Sequence, residues 1–212
     1  MFERFPKLES VFVREKTEDG LFLVTDEIKP GYEWVFEDES VRAVEKIDGE
    51  NIAVTFSDDG AVSNIFTREG NIAEPFTDKR MAYIVKGVVE SHRRGWIDKL
   101  SEKQIHYGEL IGPTVQDNPY NVDTHLWIPF EYAYNNFHYE SWGEYPQEFD
   151  DISYWFEDGL LPLVHSQLHN KSINENDAYV EGVVFTHPDG RKAKLRRDMF
   201  SWYGGDRHGE RN

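Results

Sequence analysis

The sequence predicts an α+β protein dominated by antiparallel β-sheet, and three observations lead to that prediction. Short runs of β-branched and aromatic residues recur along the chain, turn signals join some of them as hairpins, and helical periodicity is confined to two segments. The turn signals are Asp58-Asp59-Gly60 and Pro188-Asp189-Gly190. The predicted strands are 10–14, 21–24, 43–44, 52–56, 61–66, 105–111, 126–132, 179–186 and 192–196.

The helical pattern is strongest over 78–94, where Thr77 is suited to cap the first turn. A second helical region over 150–170 is interrupted near Gly159 and Pro162, since proline removes a backbone donor. The apolar residues at helical spacing in the first segment are Met81, Ile84, Val85, Val88 and Val89.

Composition limits the classes of function. The chain has 212 residues, enough for one domain with a substantial core, and a formal net charge of −17. That charge argues against broad non-specific binding to duplex nucleic acid, which depends on many Lys and Arg contacts with phosphate. The lack of cysteine excludes disulfides, thiolate metal sites and a thiol nucleophile. No run approaches the length of a membrane span and no signal peptide opens the chain, so a cytoplasmic protein with no membrane partner is expected.

The string Glu45-Lys46-Ile47-Asp48-Gly49 is the first sign of chemistry. β-forming residues flank it, which predicts a loop between strands whose glycine permits close approach of a ligand. A lysine amine in such a loop can attack a nucleotide α-phosphorus and form a covalent lysyl-nucleotide. A polar hairpin turn uses the same residue types, so the motif has to be weighed with others in the chain.

Three later segments place charged residues in strand-like sequence. Glu109 and Glu181 each stand beside a glycine in an apolar run. Lys192 and Lys194 alternate along a predicted strand, so both point to one face. The alternatives are solvent-facing acids and a solvated basic strand, although unpaired charges inside apolar strands are costly.

In this order, the motifs K-x-D-G, G-E-L-x-G, E-G-V-V and K-x-K resemble those of the covalent nucleotidyltransferase superfamily of ATP-dependent ligases and RNA capping enzymes. The likeness runs from about Phe5 to about Met199 and is greatest to the ATP-dependent RNA ligases. It implies the nucleotidyltransferase (adenylation) fold, with antiparallel sheets flanked by helices around a nucleotide cleft. It also implies a nucleotidyltransferase domain over 1–198 and a short tail over 199–212, with no OB-fold.

The resemblance assigns catalytic roles. Lys46 attacks ATP and carries AMP, and Asp48 positions the lysine or its substrate. Glu181 binds Mg²⁺ or Mn²⁺ near the reacting phosphate, since hard cations prefer carboxylate oxygen. Lys192 and Lys194 hold α-phosphate oxygens and stabilise the departing pyrophosphate. Their positive field, with that of the metal, also helps Lys46 to lose its proton.

The resemblance also assigns nucleotide contacts. Around the lysine these are Glu45, Ile47 and Asn51, and further along the chain Glu109 takes the ribose hydroxyls. Arg68, preceded by Thr67, offers a planar fork for phosphate. An aromatic residue after Glu109 stacks on the purine. Phe130 is the first choice for that residue and Trp127 the second, with core packing as the alternative for both.

The predicted function is that of an ATP-dependent RNA ligase, which joins 5′-phosphate and 3′-hydroxyl RNA ends through lysyl-AMP and an RNA-adenylate. Asn51, the opening Phe5-Pro6-Lys7 and the lack of an OB-fold favour RNA over DNA. Asp48 does not add to that choice, because nick-sealing RNA ligases often have histidine there. The alternatives are a minimal DNA ligase, an mRNA guanylyltransferase, or a non-catalytic module that binds nucleotides or RNA ends. The expected partners are RNA and ATP, and the negative charge also suggests an accessory protein.

Overall fold

A computed structural model describes residues 5–68, 70–71, 80–102, 105–139, 144–169 and 179–204. The strands in this part of the chain are β1 (Phe12–Lys16), β2 (Phe22–Ile28), β3 (Arg42–Lys46), β4 (Glu50–Phe56), β5 (Val62–Thr67), β6 (Gly70–Asn71), β7 (Ile105–Ile111), β8 (Leu126–Pro129), β9 (Gly182–Thr186) and β10 (Lys192–Arg196). The helices are α1 (Trp34–Glu37), α2 (Met81–Arg93), α3 (Phe130–Asn136), α4 (Phe149–Tyr154) and α5 (Leu163–His169). Short 3₁₀ turns cover Ile97–Lys99 and Arg197–Met199, and a π-helical turn covers Trp155–Gly159.

The chain divides into two compact units. Unit I contains Met1–Pro6 and Asp48–Asn136, and unit II contains Lys7–Ile47 and Phe137–Asn212. Unit I holds a five-stranded antiparallel sheet in the order β6-β5-β4-β7-β8. Unit II holds a three-stranded antiparallel sheet in the order β10-β9-β3 and a separate β1–β2 hairpin.

One face of the unit I sheet packs against α2. Ile52 of β4 and Leu110 of β7 are fully buried there with Ile84 and Val88 of the helix. Trp127 of β8 joins this core, and its indole Nε1 donates a hydrogen bond to the Ile52 carbonyl at 3.1 Å. Because side chains alternate along a strand, the residues next to these face the other side of the sheet.

The three-stranded sheet of unit II has an apolar face and a polar face. Register places Ala43, Phe185 and Ala193 in one cross-strand row, and all three are buried in the main core of the unit. The next row on the same face contains Glu45, Val183 and Leu195, which are also buried. This face therefore holds one carboxylate among apolar side chains.

The Glu45 carboxylate is matched to the start of α5. Its Oε2 accepts hydrogen bonds from the backbone N–H groups of Leu163 and Val164, at 2.6 and 2.9 Å. The N–H groups of the first helical turn have no acceptor within their own helix, and the Glu45 carboxylate acts as the acceptor for two of them. Burial raises the pKa of Glu45 to about 8, and the two hydrogen bonds oppose that rise.

The predicted class, α+β with antiparallel sheets, is confirmed, and every predicted strand overlaps an observed one. Both predicted hairpins form, with positive φ at Gly60 (80°) and Gly190 (100°). The helix predicted over 78–94 is α2, although Thr77, its predicted cap, lies outside the described residues. The second helical region divides into α4, the π-helical turn and α5, with the expected break between them.

Two details of the element prediction were wrong. The run 126–132 is not one strand, because β8 ends at Pro129 and α3 follows directly. Proline has no N–H with which to continue the ladder, and Tyr132 and Ala133 are then buried on a helix. Helix α1 was missed because four residues are too few to show periodicity. In addition, Val85 and Val89 of α2 are 43% and 53% exposed, so its apolar stripe is wider than the face the sheet covers.

Within the described ranges, no helix combines the length and the apolar composition that a membrane span requires.

Glu45→Gln is expected to change how the free energy of unfolding depends on pH. Native Glu45 keeps its proton up to about pH 8, whereas in the unfolded chain it releases it near 4.5. The stabilisation from this group is therefore complete below about pH 4.5 and is lost as pH rises through about 8. In urea unfolding, the free energy of unfolding of the wild type should fall, relative to that of the variant, by up to about 1.4 kcal/mol per pH unit across this window.

Glu9→Gln serves as the control for this measurement. Its hydrogen bond to Lys29 lowers the pKa of Glu9, so any pH dependence that this substitution removes lies on the acid side. A difference between the wild type and Glu45→Gln that stays constant from acid to mildly alkaline pH would contradict the burial argument for Glu45.

Candidate active site

Lys46 is the last residue of β3 and lies on the polar face of the unit II sheet. Register places it in one row with Gly182 of β9 and Arg196 of β10. Its Nζ is 2.5 Å from Glu181 Oε2, with the two side chains 18% and 2% exposed, respectively. The fold thus brings together two predicted site residues that are 135 positions apart in the chain.

Gly182 allows this close packing of strands. A Cβ at Gly182 would overlap the backbone carbonyl of Leu195 and approach the Cα of Arg196 on β10. The glycine that follows Glu181 is therefore required by the contact between β9 and β10. The same packing sets Glu181 at the level of Lys46.

Glu181 meets a second cation and is a suitable ligand for a hard metal. Its Oε1 is 3.8 Å from Arg196 Nη1. Over the described part of the chain, no group of three or more His, Cys, Asp or Glu side chains is arranged to hold a metal ion. Magnesium and manganese, however, are often held by one carboxylate, with substrate phosphates and water completing the shell. Glu181 fits that mode, because it lies among cations that suit the same phosphates.

Lys192, Lys194 and Arg196 alternate along β10 and share the polar face with Lys46. Burial lowers the pKa of Lys194 to about 8. Nearby cations add to this effect, in the order Arg196, Lys46, Arg14 and Lys7. The crowding of like charges creates a local positive field suited to phosphate oxygens, in a chain whose net charge is −17.

The two neighbours of Lys46 in the sequence are placed differently from the lysine. Glu45 points to the apolar face, where its carboxylate accepts hydrogen bonds from the first N–H groups of α5. Its side chain is therefore not grouped with Lys46. Ile47 is 5% exposed. The structure does not bring the Glu45 carboxylate together with the other predicted nucleotide contacts.

Asn51 and Glu109 lie together in unit I. They are cross-strand partners on β4 and β7, on the sheet face opposite to α2. Both are partly exposed, and Asn51 Nδ2 donates to the Gly108 carbonyl at 3.4 Å. A carboxylate next to a carboxamide offers acceptors and donors suited to a pair of ribose hydroxyls.

Asp48 and Gly49 are held by the loop that follows β7. The Asp48 backbone N–H donates to the hydroxyl of the fully buried Tyr120 at 2.8 Å, and Gln116 Nε2 donates to the Gly49 carbonyl at 3.5 Å. A Cβ at Gly49 would overlap the Leu110 carbonyl. The second half of the K-x-D-G motif is therefore fixed by packing within unit I.

The contact of this loop with Asp48, through Tyr120, was not predicted from the sequence. The φ angles of Gln116, Asp117, Asn118 and Asn121 lie between 46° and 55°, a region that is disfavoured for residues with a Cβ. Asn118 stabilises the turn, because its side chain accepts from the Val122 N–H at 3.1 Å and donates to the Val122 carbonyl at 3.0 Å. The Asn and Asp residues of this loop could have indicated positive φ angles from the sequence, since both residue types tolerate this conformation. No motif pointed to Tyr120.

The two aromatic candidates differ in position. Trp127 is fully buried in the core under α2, so its indole is a core group. Phe130, the first residue of α3, is partly exposed and packs on Phe5 with ring centroids 4.9 Å apart. Phe5 in turn packs on Tyr107 at 5.4 Å. Arg68 is exposed in the turn after β5.

The predicted residues therefore fall into two groups, and the unit boundary runs between Ile47 and Asp48, inside the K-x-D-G motif. Unit II carries Lys46, Glu181, Lys192 and Lys194. Unit I carries Asp48, Asn51, Arg68, Glu109 and Phe130.

Among solved structures, the chain is similar to Naegleria gruberi RNA ligase. A mutant of that enzyme with ATP and Mn is 18% identical, with a TM-score of 0.42 and coverage of 76% of this chain and 51% of that chain. The same enzyme with PPi is 19% identical, with a TM-score of 0.41 and the same coverage. An apo mutant is 16% identical, with a TM-score of 0.44 and coverage of 92% and 61%. This chain thus spans about half the length of the solved chains it first matches.

No curated protein matches the sequence. The family model described as RNA ligase matches residues 39–200, well over half of the chain. That segment includes Lys46 on β3, Glu181 immediately before β9, and Lys194 on β10. The chain therefore belongs to the RNA ligase family.

Proposed function

We propose that this protein is an ATP-dependent RNA ligase, which joins 5′-phosphate and 3′-hydroxyl RNA ends through a lysyl-AMP and an RNA-adenylate. The observation that carries the proposal is the position of Lys46, 2.5 Å from a buried carboxylate on a sheet face that also carries Lys192, Lys194 and Arg196. On this proposal, residues 1–198 form a nucleotidyltransferase domain with the adenylation fold.

In the first step, AMP is transferred to Lys46. The amine must lose a proton, because an ammonium has no lone pair for attack. The nitrogen then attacks the α-phosphorus of ATP, a P–N bond forms, the bond to the β-phosphate oxygen breaks, and pyrophosphate leaves. Lys192 and Lys194 bind the non-bridging oxygens during this transfer. Magnesium or manganese held by Glu181 would supply Lewis-acid stabilisation of the same phosphate.

The later steps pass AMP to RNA and then release it. An oxygen of the RNA 5′-phosphate attacks the AMP phosphorus, the P–N bond to Lys46 breaks, and a 5′–5′ linked adenylate forms. The 3′-hydroxyl of the second RNA end then attacks the RNA phosphorus, loses its proton and displaces AMP. The cations of the polar face bind phosphoryl oxygens in each transfer.

The residues of unit I are proposed to bind the nucleoside and the outer phosphates. Glu109 and Asn51 take the ribose hydroxyls, Phe130 stacks on adenine, and Arg68 contacts phosphate. Asp48, whose backbone is fixed by Tyr120, positions the lysine or its substrate. Ile47 and Glu45 are proposed to contact the nucleotide through their backbone groups. The Glu45 carboxylate is already hydrogen-bonded to the first N–H groups of α5.

Incubation of the protein with ATP and Mg²⁺ is expected to add the mass of one AMP, and Lys46→Ala is expected to abolish this addition. Intact-mass spectrometry measures it, with GTP tested in parallel and Lys29→Ala as the control. Lys29 is a lysine of the same unit, paired with Glu9. The control should retain the AMP adduct.

Three results would redirect the functional proposal. An adduct from GTP would identify a guanylyltransferase. An adduct from ATP followed by sealing of DNA ends but not RNA ends would identify a DNA ligase. If no adduct formed even after pyrophosphate treatment, which reverses prior adenylation, a non-catalytic binding module would replace the enzyme.

The rate of adduct formation by Lys194→Arg, divided by that of the wild type, is expected to rise as pH passes about 8. The pKa of Lys194 is lowered to about 8, chiefly by burial, so the wild-type lysine loses its charge above this pH. Arginine remains charged throughout the accessible range. Single-turnover kinetics at subsaturating ATP report the free enzyme and should show this rise. The ratio for Lys29→Arg should stay flat, and a flat ratio for Lys194→Arg would contradict the phosphate role of a titrating Lys194.

A further inference from the structure

The segment that precedes β1 extends the three-stranded sheet of unit II. The Lys194 backbone N–H donates to the Glu9 carbonyl at 2.9 Å, and the Val11 N–H donates to the Lys194 carbonyl at 3.2 Å. These two bonds form a parallel bridge between Ser10 and Lys194. Residues 9–11 therefore lie along the outer edge of β10, within the unit that carries Lys46.

The bridge places the Ser10 side chain on the polar face of this sheet. Bridge partners point to the same side of a sheet, and Lys194 shares its side with Lys46. The next residue, Val11, is fully buried in the main apolar core of the unit, on the opposite side. Because successive side chains alternate, both observations give Ser10 the same direction. Neighbouring strands are about 4.8 Å apart, so the Ser10 hydroxyl lies beside the base of the Lys194 side chain.

The Ser10 hydroxyl is buried without a partner from the protein. Ser10 is 2% exposed, and among the described residues its Oγ has no hydrogen-bond partner. Removing a hydroxyl from water without giving it a hydrogen bond costs free energy. Such a group calls for an explanation, and an anion bound at the neighbouring ammonium would supply one.

Residues that flank this serine in the sequence also lie near Lys194. Burial is the main cause of the lowered pKa of Lys194, and the charges of Lys7 and Arg14 are among those that lower it further. The acid of the segment, Glu9, is paired with Lys29 at 2.9 Å. The N-terminal segment therefore adds to the positive potential around the Ser10 hydroxyl, which favours an anion as its partner.

We propose that Ser10 is a phosphate-binding residue of the active site, whose hydroxyl donates a hydrogen bond to the α-phosphate oxygen that Lys194 binds. The inference rests on the proposed function and adds to it a neutral donor from the segment 9–11. A hydroxyl donates one hydrogen bond without adding charge, so it can share a phosphate oxygen with an ammonium. The α-phosphate stays with AMP in all three transfers, so Ser10 acts in each of them.

Ser10→Ala is expected to slow lysyl-AMP formation about tenfold, because a hydrogen bond to a charged group is lost. Its melting temperature should equal or exceed that of the wild type, since a methyl group replaces a buried hydroxyl that the described residues leave unpaired. Single-turnover kinetics with ATP and Mg²⁺ and thermal melting measure the two effects. A lower melting temperature, or an unchanged rate of adduct formation, would overturn the proposal.

Sulfur substitution in the nucleotide identifies the phosphate that Ser10 contacts. ATP with sulfur in place of one non-bridging α-phosphate oxygen exists as two diastereomers, and sulfur is a weak hydrogen-bond acceptor. For one diastereomer, the slowing caused by sulfur should be about tenfold smaller in Ser10→Ala than in the wild type, because both changes remove one interaction. Equal slowing of both enzymes by each diastereomer, or a difference confined to sulfur on the β-phosphate, would overturn the contact with the α-phosphate.

Ser91→Ala is the matched control. Ser91 is also buried, but its hydroxyl is hydrogen-bonded to backbone groups of Gly87 and Trp127 in unit I. This variant should have a lower melting temperature and the wild-type rate of adduct formation, the opposite of Ser10→Ala in both respects.

Binding of AMP separates the role of Ser10 from the proposed function. If the wild type forms no adduct, the proposed function fails, and calorimetric titration with AMP then tests the serine alone. Weaker binding of AMP by Ser10→Ala than by the wild type would support the phosphate contact. Equal affinity of the two proteins for AMP would overturn it.

Discussion

The register between β3 and β9 is the constraint on which the candidate site depends. It sets Lys46 opposite Gly182 and so beside Glu181, and the register of β10 brings further cations to the same face. Because side chains alternate along each strand, a slip of one residue would exchange the polar face for the apolar one. The apolar face is buried in the core of unit II, which excludes such a slip. Packing on one side of the sheet therefore determines which charges meet on the other.

The carboxylates of Glu181 and Glu45 show how one strand pair produces opposite electrostatic environments. Glu181 lies on the polar face, within reach of two cations. Glu45 is adjacent to the lysine in sequence but faces the core, where its partners are two backbone N–H groups and burial favours its protonated form. The amine is thus attached to a strand that is anchored from behind by a hydrogen-bonded helix terminus. A strand end fixed on both faces limits the motion of the residue that it carries.

Much of the sheet structure was predictable, because strand periodicity and hairpin turns depend on residues that are close in sequence. The grouping of Lys46 with Glu181 followed from motif order, and that of Asn51 with Glu109 follows from antiparallel register. The direction of the Glu45 side chain was not predictable from residue type, since the sequence did not show which face α5 would cover. Tyr120 was missed for a related reason. Its contact with Asp48 depends on a run of left-handed residues whose path no local periodicity describes.

Two glycines of the motifs are expected to be intolerant of substitution without having a chemical role. Gly49 and Gly182 each face a backbone carbonyl that leaves no room for a methyl group. Selection for activity would retain both as strictly as it retains the lysine, although neither has a functional group to contribute. A ranking of positions by intolerance would therefore mix steric necessity with reactivity. The two are separable by solubility, because crowding at a glycine reduces the yield of folded protein, whereas loss of an amine leaves the yield intact and removes turnover.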